Sequence, residues 1–144
     1  MSKTQNYVEA VRTMLNDDDN RHTLSVALTG VAILSKSAPE LFDDEPLIPG
    51  TSEATNRAVQ VAVGGLHTLT NQGILPEEGA REGMVEVFRD TQLAMVLVGT
   101  SIELLNTIDD DPDLAAKLAA SGEDYEAAAQ AVKDSDLEGW SSER

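Results

Sequence analysis

The chain has 144 residues, with 26 acidic against 10 basic side chains, no cysteine, and a formal net charge of −16. That length supplies one modest apolar core without the help of a metal or a disulfide. The missing cysteine excludes disulfides, zinc–thiolate sites and thiol catalysis, and the negative field repels nucleic-acid backbones and anionic membranes.

The N-terminal residues 1–4 are expected to fray. A short helix is predicted over 5–16, with Val8, Val11, Met14 and Leu15 on one side. The run Asn16-Asp17-Asp18-Asp19-Asn20 then breaks it, because Asp and Asn compete for backbone hydrogen bonds and cap whatever helix comes next. A second helix is predicted over 20–38. Leu24, Ala27, Leu28, Val31, Leu34 and Ala38 form its stripe, Val26 and Ile33 lie partly to one side, and Pro39 ends it.

Residues 39–51, PELFDDEPLIPGT, hold three prolines and a glycine, which forbid a continuous regular element. Leu41, Phe42, Leu47 and Ile48 are large and apolar in this loop. They either fold back onto the body or form a contact site for another subunit.

Thr51 or Ser52 caps a third helix, which runs to about Asn71. Its small residues Ala54, Ala58, Ala62 and Gly65 recur near every fourth position, so another helix can approach closely there. Val59, Val63, Leu66 and Leu69 flank them. Gly73 suits a left-handed C-terminal cap, with Ile74 as the hydrophobic contact of that motif. Pro76 suits the first position of a fourth helix, with Glu77 and Glu78 in its first turn and Met84, Val87 and Phe88 on its buried side.

The stretch 91–108, TQLAMVLVGTSIELLNTI, is the most apolar of the chain. Met95, Val98, Ile102 and Leu105 recur at helical spacing, and Leu93, Val96, Leu97 and Leu104 lie off that stripe. The expectation is a central helix buried on more than one side. Asp90 and Thr91 can cap a fresh start here. The alternative is one unbroken helix over 76–108, about 50 Å long. No segment reaches 18 consecutive apolar residues, so no transmembrane helix is expected. The N-terminus lacks a signal-peptide core. The expected location is therefore the cytoplasm or an assembled particle.

After the Asp109–Asp110–Asp111–Pro112–Asp113 stop, short helices are predicted over 114–120 and 123–133, followed by a polar tail over 135–144 that carries Trp140. A lone Trp in such a tail either anchors in a partner's pocket or folds back on its own domain. The domain reading is a single helical unit over 1–134 plus this tail. No stretch shows strand alternation. The fold class is all-α, a compact bundle of five or six helices around the 91–108 helix.

The acidity admits three readings. One is adaptation to high salt, where self-repulsion is screened within about 3 Å at 1 M. The second is DNA mimicry toward a basic protein, and the third is an ordinary acidic protein. Scattered acids, frequent Asp, lysine only at 3, 36, 117 and 133, and few aromatics favour the first.

Catalytic chemistry finds little support. Asp109, Asp111 and Asp113 have the first spacing of a calcium loop, but Leu114 stands where Gly is needed and Ala120 where Glu is needed. Helix capping explains the cluster better. His22 and His67 sit in no HExxH motif. His67 reads as a half-buried packing histidine and His22 as solvated. Phosphate-binding loops and nucleophile elbows are lacking, and Gly64-Gly65 reads as a helix-packing feature. Arg12, Arg21, Arg57, Arg81 and Arg89 are isolated and read as ion-pair partners, which leaves no basic stripe for nucleic acid.

The sequence thus points to a non-enzymatic structural or assembly protein without cofactor or metal. Protein partners, self-association first, are expected in a salt-rich setting, for example as a helical connector subunit of a virion. The candidate interaction residues are Leu41, Phe42, Leu47, Ile48 and Trp140. The alternative is an acidic DNA-mimic inhibitor of a basic protein.

Overall fold

The computed structural model describes residues 2–37, 52–110 and 113. Five helices account for most of them: α1 (Lys3–Leu15), α2 (Asp18–Ser37), α3 (Glu53–Asn71), α4 (Ala80–Arg89) and α5 (Thr91–Asp110). Among the described residues there is no strand. The helices pack on each other as a compact all-α bundle, as the periodicity predicts. Helices α2, α3 and α5 form a mutually packed trio. The α1–α4 pair leans on it through α2 and α5.

Local chemistry sets the helix boundaries. Residues 2–4 do not fray. The Ser2 hydroxyl accepts from the Gln5 amide at 3.1 Å, and the Gln5 side chain accepts from the Ser2 amide at 3.3 Å. This reciprocal capping box starts α1 two residues earlier than expected. The carboxylate of Asp17 accepts from the amides of Asp19 and Asn20, which starts α2 at Asp18. Ser52 caps α3 by accepting from the Thr55 amide at 3.2 Å.

The end of α3 is a full Schellman closure. Gly73, at φ 78°, donates to Thr70 O, and Ile74 donates to Leu69 O at 2.9 Å. The residue that turns inward after it is Leu75, only 2% exposed, while Ile74 is half exposed.

One expectation about the fourth helix changes and one open alternative is decided. Pro76, Glu77 and Glu78 lie in a turn, and α4 begins only at Ala80. Gly79 is the reason. It takes φ 72°, and a Cβ there would meet the Lys3 carbonyl carbon at 2.7 Å, so the chain must turn at this glycine against the start of α1. The 76–108 segment is two helices. Asp90 has extended backbone and its carboxylate accepts from the amides of Gln92 and Leu93, which caps a new helix.

The core follows the predicted stripes of α2 and α3. Leu24, Ala27, Leu28, Val31, Leu34, Val59, Val63, Leu66 and Leu69 are all buried, and Ile33 joins them. Gly65 is the point of closest approach between α2 and α3. A Cβ there would lie 2.5 Å from Leu28 Cδ2. Gly83 does the same for α4 against the ring of Tyr7. Buried hydroxyls are satisfied within their own helices. Thr68 donates to Gly64 O, and Ser101 donates to Leu97 O.

Among the described residues, α3 and not α5 is the most enclosed helix. Buried positions on α5 are Leu93, Leu97, Ser101, Leu105 and Ile108, a single face. Of the expected stripe Leu105 is buried, and so are Ser101 and Ile108, which widen it. Val98 and Ile102 are half buried, and Met95 is 69% exposed. The apolar residues on α5 outnumber those its neighbours can cover, so packing had to choose one face. It chose the one on which Leu93, Leu97, Leu105 and Ile108 line up.

Candidate interaction face

The outward side of α5 is built from Gln92, Met95, Val96, Gly99 and Glu103, all exposed. Positions 92, 96, 99 and 103 are separated by four, three and four residues, so they form one seam along a helix. Among the described residues nothing uses Gly99, since a Cβ built there meets no atom within 4 Å. Between Thr91 and Ile102 there is no ionisable side chain, in a chain of net charge −16.

Beside this seam, the start of α2 and the end of α1 enclose an open groove of about 530 Å³. Leu15, Leu24, Ser25, Val96 and Thr100 line it, with His22 and the Asp18–Arg21 pair among the lining residues. Val26, 44% exposed, stands one helical turn beyond His22 on α2. Val26, Met95 and Val96 are three of the four large apolar side chains most exposed among the described residues, Ile74 being the other.

A second groove, of about 500 Å³, runs between α1 and α4 and is lined by polar side chains including Gln5, Glu9, Glu86 and Arg89. Arg12 sits there between Glu9 and Asp90, 3.0 Å from Asp90 Oδ2. The Leu93 amide, and then Arg12 and the Gln92 amide, hold the Asp90 carboxyl below its ordinary value against partial desolvation. Tyr7 is fully buried beneath this region. The Thr70 hydroxyl donates to Leu66 O, so Tyr7 Oη donates to Thr70 Oγ1 at 3.2 Å. Burial raises the Tyr7 pKa, and that hydrogen bond only partly offsets it. A neutral, buried phenol of this kind fixes packing and offers no proton at ordinary pH.

The groups weighed in the sequence for chemistry fall apart in space or into structural roles. Arg12, Arg21 and Arg89 pair with Glu9, Asp18 and Glu86, each three residues away on the same helix, and Arg12 reaches Asp90 as well. Lys36 pairs with Asp109 at 2.7 Å, which ties the end of α2 to the end of α5. His67 is half buried on α3 and His22 is exposed. Among the described residues no three His, Asp or Glu side chains gather as a metal site would require. Leu41, Phe42, Leu47, Ile48 and Trp140 lie outside the described residues. So do Asp111, Pro112, the helices predicted over 114–120 and 123–133, and the tail 135–144.

Sequence reading assigned Met95 to the buried stripe and passed over Gly99. A signal for the outward seam was present. Gln92, Glu103 and Asn106 share one helical face, and these polar residues bracket Val96 and Gly99. Helix α5 is also, among the described residues, the one helix long and apolar enough to cross a membrane by length and composition. Only 28% of its most apolar window is buried, with Leu97 and Ser101 on the packed face. No protein-family model, curated protein or solved structure matches this chain.

Proposed function

We propose that the protein is a non-enzymatic assembly subunit that associates with itself and works in high salt. The observation that carries this reading is the outer side of α5, which exposes Met95 and Val96 within a stretch, Thr91 to Ile102, that holds no ionisable side chain. Exposed apolar side chains cost little singly. Two of them together, Met95 and Val96, beside an open groove are what interaction surfaces present. The described acids favour a salt-adapted setting over a mimic's charge row. They are spread over every helix: Asp17, Asp18 and Asp19 open α2, Glu53 opens α3, Glu77 and Glu78 lie before α4, and Glu9, Glu82, Glu86 and Glu103 lie within helices. Asp109 and Asp110 stand at the negative end of α5, where the helix dipole opposes them and, among the described residues, Lys36 offsets Asp109. Concentrated salt relieves that arrangement. A virion component such as a helical connector subunit is one setting that fits a small acidic helical protein of this kind.

Light scattering with circular dichroism, in about 0.15 M and then about 3 M KCl, tests the reading, because exposed charges are fully screened only in the second. The expected result is a helical oligomer at high salt that dissociates as salt falls. A folded monomer at both salts overturns it. Tight binding to a basic protein that weakens steeply with salt would instead establish the DNA-mimic alternative.

A further inference from the structure

We infer that the outer seam of α5 pairs with the same seam of a second copy of this chain, the two helices running antiparallel and crossing at Val96 and Gly99. The inference rests on the self-association reading above and names its surface and geometry.

Charge excludes one occupant and sets the direction of a second copy. The seam is uncharged from Thr91 to Ile102 and then carries Glu103, with Asp109 and Asp110 beyond it. A nucleic acid would meet only this acidic end, which repels it. A parallel second copy would set Glu103 on Glu103. An antiparallel copy sets Glu103 opposite Gln92, an amide that can donate to it, and near the positive end of the facing helix. Shape agrees. Met95 projects at 69% exposure beside a groove lined by Leu24, Val96 and Thr100. A two-fold axis needs projection and recess on the same face, because each copy supplies both. Gly99, unused among the described residues, gives the crossing point its close approach.

The area sets the strength. Helix α5 is about 30 Å long and the exposed first half of α2 about 15 Å, at about 10 Å width each, which makes a flat face of about 450 Å². The smallest stable complexes bury about 600 Å² per partner. The face falls short of that floor, so the pairing is weak, with a dissociation constant on the order of 10 µM or higher. Like-charged copies repel at low salt, so the constant should fall at least about tenfold between 0.15 M and 3 M KCl.

The test uses the full chain, with mass measured over about 1–500 µM in 3 M KCl, a range chosen to span the expected constant. Wild type should pass from monomer to dimer. Met95→Lys and Gly99→Gln should each weaken pairing by about tenfold or more. At dilute, monomeric concentration Met95→Lys should leave the melting temperature unchanged, and Gly99→Gln should raise it, since glycine is a poor helix former and its site is open. The chain has no cysteine, so introduced thiols report cleanly. Chains carrying Gln92→Cys should form disulfides in air with chains carrying Glu103→Cys faster than either forms with itself.

A monomer at every concentration and salt sinks the self-association reading and this inference together. A wild-type oligomer whose mass ignores both substitutions leaves that reading standing and overturns the surface. A Gly99→Gln chain that melts lower as a dilute monomer shows that another part of the same chain covers the seam, which also overturns it. Like-with-like disulfides overturn the antiparallel arrangement.

Discussion

Helices α3 and α5 are nearly equal in length and both rich in apolar residues, yet they are used in opposite ways. Thirteen of the nineteen residues of α3 are buried, against five of the twenty of α5. Apolar content runs the wrong way to explain the difference, since α5 is the more apolar of the two. Residue size and neighbours do explain it. Small residues at Ala58, Ala62 and Gly65 let α2 close on α3, and α5 packs against it as well. The bulkier α5 lies at the outside of that trio and offers its partners a single leucine-rich face. Enclosure follows from how closely neighbours can approach.

The sharpest way to break this contrast is to remove side chains from each helix and compare. Leu66→Ala, at a fully buried position of α3, should cost about 2–5 kcal/mol in urea unfolding. Val96→Ala on α5, at a half-exposed position, should stay within about 0.5 kcal/mol when the protein is dilute. A large loss at Val96 in dilute monomer would show that α5 is enclosed after all.

Close approach can be tested by adding atoms where neighbours touch. Gly83→Ala would set a Cβ 2.6 Å from Tyr7 Cβ, Cγ and Cδ1. A ring held at its own Cβ cannot swing aside, so this substitution should cost about 1–3 kcal/mol, read as a lowered urea midpoint. The matching substitution on α5, Gly99→Ala, meets nothing and should stabilise by roughly 0.5–1 kcal/mol. The same chemical change should thus have opposite signs on the two faces.

The smallest effect concerns the joint between α4 and α5. Asp90 is held below its ordinary pKa by the Leu93 amide, and then by Arg12 and the Gln92 amide. A carboxylate lowered in the folded state adds stability that is complete above about pH 4, its unfolded value, and is lost as pH falls through the folded one. Asp90→Asn should therefore melt lower than wild type near neutral pH. The gap should close as pH drops below about 4. A gap that is constant across that range would show that the cap acts without its charge.

Much of the fold could be read in the residues. The Ser52 cap, the left-handed Gly73, the buried stripes of α2 and α3, and the Met84–Val87–Phe88 face of α4 all follow from local pattern, and all are observed. These features depend on residues within a few positions of each other. The start of α4 was not legible, because Gly79 is set by contact with Lys3, 76 residues away. The outer seam of α5 was not legible either. A helix apolar on several sides has several candidate inner faces, and its neighbours decide among them. Of the interaction residues singled out from sequence, none falls in the described part of the chain. The residues of the proposed face, Val26, Met95, Val96 and Gly99, carry a core-like local pattern or none.

Sequence alone determined the all-α class, most helix boundaries and the acidic solvent-facing character, because capping, periodicity and charge are local or additive properties. Tertiary structure decided which helix is enclosed, where α4 begins, and which apolar side chains remain outside. Each of those depends on how close two helices can come, and that distance is set jointly by residues far apart in the chain, such as Gly65 with Leu28 and Gly83 with Tyr7.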